Sequence, residues 1–370
     1  MNAVAFVDAE RTPMFVAWRD LRFARGRFVL IGTVVALITL LVGFLSGLTG
    51  GLAAQNISGV LSLPADQLVF ATPSSKGDTE ATFSDSDITE TQAAIWAAAT
   101  GVDEANPIGV SQTKAESTES STAIAIFGVV PGFDETAPSG DGKVGLSEDA
   151  ATGLDVTTGD TITIAGTDFT VEKISGNWWY NHTPVVQMTL EDWQGYSATT
   201  GNPDAYATAI AVTGEADWAA INADADTLSN SVLLSLTAVS SFRSEIGSLL
   251  LMVAMLFGIS ALVIGAFFTV WTMQRKADIA MLKALGASTP SLIRDALGQA
   301  LVVLLIGVGI GIGVTALLAT LMGNALPFIL SPFTTVLPGV VMIVLGLAGA
   351  AFALRSVTTA DPLTALGSTR

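Results

Sequence analysis

Four long apolar stretches enclose one large acidic segment, and this layout constrains the fold more than any other feature of the chain. The stretches run over residues 28–50, 246–273, 297–322 and 336–354. Each approaches or exceeds the roughly 20 apolar residues that carry a helix across a bilayer core. The polar segment between the first and second, residues 51–242, is long enough to bury a core of its own. The expected fold class is therefore an α-helical membrane protein with four transmembrane helices and an inserted extracellular α+β domain between helices 1 and 2. A short outer loop, residues 323–335, joins the last two crossings, and residues 355–370 form a cytoplasmic tail.

Charge sets the expected orientation. Arg11, Arg19, Arg22, Arg25 and Arg27 precede the first crossing, and Arg275, Lys276, Lys283 and Arg294 follow the second. Basic flanks belong on the cytoplasmic side. Both termini then lie inside a cell membrane and the insert lies outside. The insert holds 26 acids against four lysines and no arginine, although the net charge of the whole chain is only −17. So acidic a surface suits a solvated external domain and argues against nucleic acid as a partner. The first apolar stretch is too long for the 7–15 residues of a signal-peptide core, so it is read as a retained crossing. The chain has no cysteine. Disulfides, thiolate metal sites and cysteine nucleophiles are excluded.

Within the insert, residues 47–63 continue the first helix. Gln67–Ala71 reads as a strand, and residues 87–90 carry a capping-box pattern that opens a helix through Ala99. Residues 121–130 form a weak strand that ends at Pro131-Gly132. A short helix over 146–154 precedes the hairpin of 161–164 and 169–174, which turns at Gly166. A strand at 185–188, a helix at 190–196, a strand at 205–212 and a helix over 215–229 complete the insert. Mixed strands and helices give an α+β domain. The loops at 72–86 and 131–145 are expected to be mobile, and the Ser-rich run 117–121 is expected to be a flexible solvated stretch.

Catalytic chemistry is absent from the sequence. His182, the only histidine, stands between Asn181 and Thr183 and reads as a surface turn residue, since one ligand does not make a metal site. No lysine precedes Ser or Thr, so no P-loop exists to hold nucleotide phosphates. The chain is expected to be no enzyme and to hold no intrinsic cofactor or metal. Any work it does draws on ATP bound by another subunit.

The sharpest motif lies in the cytoplasmic loop, residues 274–295, which reads QRKADIAMLKALGASTPSLIRD. Ile279, Met281, Leu282 and Leu285 share helical spacing. Gly286 can end that helix, and Ser288 or Thr289 with Pro290 can open the next. It is either an amphipathic connector or a helix that docks into a groove of an ATPase. The run from Arg275 to Ser288 resembles the signature of MacB/FtsX-type ABC transporter permeases. Residues 146–174 resemble that family's external domain. Residues 44–71 and 261–288 resemble its DevC/HrtB branch, whose HrtB-like members export haem. The resemblance implies a homodimeric permease bound to two copies of a cytoplasmic ABC ATPase, with Arg275, Lys276, Met281, Lys283 and Gly286 as coupling residues. It implies haem as substrate, expelled from the lipid bilayer by mechanotransmission. Two other classes stay open: an FtsX-like signalling subunit that controls an external partner, and a MacB-like exporter of peptide or lipid.

Haem needs an iron ligand and an apolar slot. Glu245 stands at the outer mouth of the second crossing, and an ionisable group there is a functional candidate. Met252 lies two turns deeper, and Arg243 could pair with a propionate. Each has a plainer reading: Glu245 marks the helix boundary, Arg243 snorkels and Met252 packs. Tyr196 and Tyr180 rank below them. Gly309 and Gly313 form a small-xxx-small pair suited to close helix packing. Residues 1–27 are expected to include an amphipathic helix on the inner leaflet.

Overall fold

The computed structural model describes residues 25–73, 81–274, 281, 288–323 and 326–358. Most of the expected N-terminal amphipathic segment, the expected coupling residues Arg275, Lys276, Lys283 and Gly286, and most of the tail lie outside the described residues. Two compact units emerge: Met1–Gly51 with Leu249–Arg370, and Leu52–Ser248. In chain order the elements begin with α1 (Arg25–Leu61), β1 (Gln67–Ala71), α2 (Glu90–Ala98), β2 (Val102–Glu116), β3 (Ser121–Val129), β4 (Lys143–Leu146) and α3 (Glu148–Leu154). There follow β5 (Thr161–Ile164), β6 (Thr167–Ile174), β7 (Trp179–Tyr180), β8 (Thr183–Thr189), α4 (Leu190–Thr199), β9 (Ala209–Gly214), α5 (Trp218–Ala225) and β10 (Thr227–Ser231). A turn of helix, α6 (Val232–Ser235), leads into the long helices α7 (Ser240–Gln274), α8 (Thr289–Met322) and α9 (Leu337–Thr358).

Among the described residues, four helical segments are long and apolar enough to cross a membrane: Phe28–Leu61, Ser240–Gln274, Thr289–Met322 and Pro332–Leu354. The α1 helix has 37 residues and so extends about 55 Å, well beyond a hydrocarbon core of roughly 30 Å. In the unit that holds most of these helices, α1 and α8 approach through glycine. A Cβ on Gly311 would stand 2.6 Å from Cβ of Thr39, and one on Gly307 would stand 2.7 Å from Cγ1 of Val35. Gly309 and Gly313, the pair expected to pack, meet nothing within 4 Å. The spacing of four was the right signal, but two residues along a helix is a rotation of about 200°, onto the opposite face. A second close approach lies between α7 and α9, where a Cβ on Gly349 would stand 3.0 Å from Cα of Gly265. The turn between α8 and α9 lies against α1: Ile329 N–H donates to the Gly47 carbonyl at 3.1 Å, and a Cβ on Gly51 would collide with the Pro327 carbonyl. Ser288 forms the N-cap of α8, with Pro290 in its first turn, as the sequence indicates.

The other unit is built on ten strands among the described residues. Six of them close a ring, β2–β3–β8–β4–β6–β5, because the end of β2 pairs with both β3 and β5. Ile124, Ile126, Val144, Ile162, Val171 and Val186 belong to one buried cluster of this part. The first half of β2 pairs with β9 and extends a second layer, β10–β1–β9–β2. Alternation along a strand sends successive side chains to opposite faces. Val69 therefore packs in a cluster with Trp96 of α2 and Ile221 of α5, while Leu68 and Phe70 pack in another with Ile57 and Val60 of α1.

Several sequence expectations are corrected. The helix expected over 215–229 is α5 followed by strand β10. Asp226 takes a left-handed conformation (φ 52°) and stops the helix. The capping box is Thr89 with Gln92, not residues 87–90: Thr89 accepts from Gln92 N–H, and the Gln92 side chain accepts from Thr89 N–H. Strand β2 was missed because its sequence, VDEANPIGVSQTKAE, carries polar groups on both faces and a proline. The Ser117–Ser121 run is a tight turn in which the Ser117 hydroxyl donates to the Leu154 carbonyl at 2.6 Å. The 131–145 loop is tied down. Asp134 accepts from Thr136 N–H, Ala137 N–H and the Gln187 amide, each at 2.8 Å.

The glycine contacts give a paired prediction. Gly311→Val should destabilise the membrane helices by about 1–3 kcal/mol, the usual cost of overpacking, whereas Gly313→Val should be nearly neutral. Thermal unfolding of the purified protein in detergent compares them, and equal midpoints for the two variants would contradict this packing.

Candidate functional site at Glu245

The site grows from a two-residue hairpin. β7 and β8 pair in antiparallel register, Tyr180 opposite Thr183, so Asn181 and His182 alone make the turn. Both have positive φ, 50° and 63°, which is the type I′ geometry that matches strand twist. Asparagine and histidine enter this region more readily than most residues, though glycine fits it best. The turn then docks on α1. Asn181 N–H donates to the Asn56 carbonyl at 3.0 Å, and His182 N–H donates to the Gln55 carbonyl at 2.9 Å. One turn along, Trp179 N–H donates to the Ser58 hydroxyl at 2.9 Å. Gly59 permits this approach, since a Cβ there would stand 3.0 Å from the Trp179 carbonyl. Tyr180 anchors the hairpin from below, its ring edge-on to Phe83 and Phe127.

These contacts bring two polar side chains to Glu245. Asn56 Nδ2 donates to one carboxylate oxygen at 3.0 Å. The other carboxylate oxygen lies 3.3 Å from Nε2 of His182. Asn56 is completely buried, and its own carbonyl oxygen accepts from the Ser241 hydroxyl. A buried amide satisfied on both sides is held in one orientation, because leaving either end unpaired would cost about 1–3 kcal/mol. The side chains of His182 and Glu245 remain 36% and 40% exposed. The arrangement is thus an oriented carboxylate with an open side, and its neighbours in sequence, Phe242 and Ile246, belong to the apolar cluster of this unit. It can offer an anionic oxygen to a cation, a Lewis-acidic metal or a hydrogen-bond donor. Among the described residues no three His, Cys, Asp or Glu gather as a metal-binding group.

The structure treats the expected residues differently. Glu245 sits at the centre of this network. Arg243 is exposed on the same helix. Met252 is exposed and belongs to the other unit. Met281 is exposed, while Arg275, Lys276, Lys283 and Gly286 lie outside the described residues. Tyr180 is buried, and that burial pushes its phenol pKa upward, away from the phenolate an iron would need. Tyr196 packs against the ring cluster. Three members of the network were missed: Asn56, Ser241 and His182. His182 was set aside as a turn residue, and it is one; its ring nevertheless reaches Glu245. An asparagine inside the apolar run LAAQNISGVL was the available signal, since a polar group in an apolar helix needs a partner.

Comparison with known proteins finds similarity along most of this chain. The FtsX-like permease C-terminal family matches residues 250–362. Over these residues the chain carries an FtsX-like permease domain. Over nearly its whole length the permease is 27% identical to a Staphylococcus haemolyticus protein provisionally named as the hemin transport system permease HrtB, covering 96% of this chain and 99% of that one. A Staphylococcus epidermidis protein of the same name is 24% identical, with the same coverage. Among solved structures, the periplasmic region of MacB from Actinobacillus actinomycetemcomitans matches at 11% identity and TM-score 0.35, covering 51% of the permease and 97% of that chain. The extracellular domain of the transporter YknZ from Gram-positive bacteria matches at 14% identity and TM-score 0.31, covering 46% and 91%.

Asn56→Leu should lower stability by about 1–3 kcal/mol, because both Ser241 and Glu245 lose a partner while the volume is kept. A thermal midpoint equal to the parent's would show that the amide is not holding the network.

Proposed function

We propose that this permease exports haem from the membrane, driven by ATP that a separate cytoplasmic ATPase subunit hydrolyses. The observation that carries the reading is the fixed, half-exposed Glu245 carboxylate at one end of an apolar helix, in a chain similar over nearly its full length to proteins named hemin permeases. Basic flanks support cytoplasmic termini, an orientation that puts Glu245 toward the outer face. An iron porphyrin dissolved in the outer leaflet meets a carboxylate there without crossing the bilayer. Glu245 is the proposed iron ligand. Met252 is a second contact, and Arg243 is the propionate partner.

The permease acts as a homodimer, with two copies of the ATPase beneath it. Of the four crossings, α7 has the least of its apolar surface covered within one chain. Leu250, Leu251, Met255 and Leu262 stand exposed along it, and a second copy would cover part of that face. Arg275, Lys276, Met281, Lys283 and Gly286 form the coupling segment that meets the ATPase. Closure of the ATPase pair drives these segments and, through the long helices, changes the outer site. The permease itself hydrolyses no ATP, since its sequence holds no P-loop.

Glu245→Ala should shift the Soret band of permease-bound hemin, weaken binding and sensitise cells to haem without lowering expression. Parent-like binding and resistance in that variant would remove Glu245 from the site. A parent that binds no hemin would overturn the substrate assignment and favour signalling or peptide export. Lys283→Glu should leave the protein folded but uncouple ATP hydrolysis from transport, measured as ATPase activity against hemin efflux; intact coupling would move the docking site elsewhere.

A further inference from the structure

We propose that His182 is a positioning residue for the Glu245 carboxylate, so that the external domain reaches into the membrane-edge site through one imidazole. The proposal rests on the reading of Glu245 as the group that meets the substrate.

Three observations point the same way. First, His182 occupies the second position of a two-residue turn at φ 63°, where glycine would fit best. A side chain at such a position carries a modest backbone cost that glycine would avoid. Second, the imidazole is aimed: its Nε2 lies 3.3 Å from Oε1 of Glu245, while Asn56 Nδ2 occupies Oε2. The carboxylate is gripped at both oxygens by groups from different parts of the chain. Third, the grip is anchored. The backbone N–H groups of Asn181 and His182 are bound to carbonyls of Asn56 and Gln55, so the turn that carries the ring is held against the helix that carries Asn56.

A ligand carboxylate is normally oriented by hydrogen bonds from its surroundings, and loss of such a partner typically weakens metal affinity by 10–100-fold. With Nε2 as donor, His182 fixes the rotamer of Glu245 and tunes the electron density on the oxygen offered to the iron. It need not touch the iron itself. An Nε2 only 3.3 Å from Oε1 is too near for the two atoms to ligate one iron from opposite faces of a porphyrin. Such axial ligands would stand roughly 4 Å apart, twice a metal–ligand bond of about 2 Å.

The site's own chemistry supplies an unusual control. His182→Gly removes the ring but puts the favoured residue into the turn, so the hairpin is retained or strengthened. The purified full-length permease, carrying an affinity tag without histidine, is titrated with hemin and followed by its Soret band. Glu245→Ala, His182→Gly and His182→Gln are compared with the parent. The expected result is 10–100-fold weaker binding and an altered Soret position in His182→Gly, at a thermal midpoint no lower than the parent's. Partial recovery is expected in His182→Gln, whose amide can still donate. Because the chain has a single histidine, selective labelling also gives one imidazole signal in nuclear magnetic resonance. That signal should move in Glu245→Gln before any hemin is added. An unmoved imidazole signal, or His182→Gly binding hemin like the parent while Glu245→Ala does not, overturns this proposal alone. Hemin binding that survives Glu245→Ala overturns the functional reading, and this proposal with it.

Discussion

The docking of one hairpin turn on the flank of α1 organises the unit that holds the candidate site. Two backbone N–H groups, from Asn181 and His182, reach carbonyls of a helix that already uses its hydrogen bonds internally. Such contacts are affordable only where helix and turn lie flush, which is why Gly59 faces Trp179 and Ser58 bonds to its amide. The ring of six strands holds β8, and so the hairpin, in place. Everything that meets Glu245 from the external domain depends on this contact.

Asn56 shows how sequence, packing and function interlock. A fully buried amide is a liability unless both ends are satisfied. Here Ser241 satisfies one end and Glu245 the other. The same requirement that protects stability orients the carboxylate. A half-exposed acid with a fixed rotamer loses less conformational freedom on meeting a ligand than a mobile one, which favours binding.

Much of this was legible in the sequence, for identifiable reasons. Membrane helices are announced by apolar runs that nothing else explains, and Gln67–Ala71 was marked by its β-rich composition. Glu245 stood out as an acid at the mouth of an apolar helix. What escaped reading was set by tertiary partners. Strand β2 serves two layers and so shows no simple alternation. Gly307 and Gly311 pack where Gly309 and Gly313 were expected, because composition alone does not say which face of α8 meets α1. His182 read as an ordinary turn residue because its partner lies 63 positions away, a distance that no local pattern spans.

The proposed export couples ATP hydrolysis by a partner subunit to removal of haem from the bilayer through this permease. The direct measurement reconstitutes the permease with its ATPase in liposomes loaded with hemin and follows hemin transfer to an external acceptor protein. ATP should accelerate transfer in the parent and fail to do so in Glu245→Ala, with both hydrolysing ATP. Hydrolysis by the parent complex with hemin transfer unchanged from the ATP-free rate would contradict the claim.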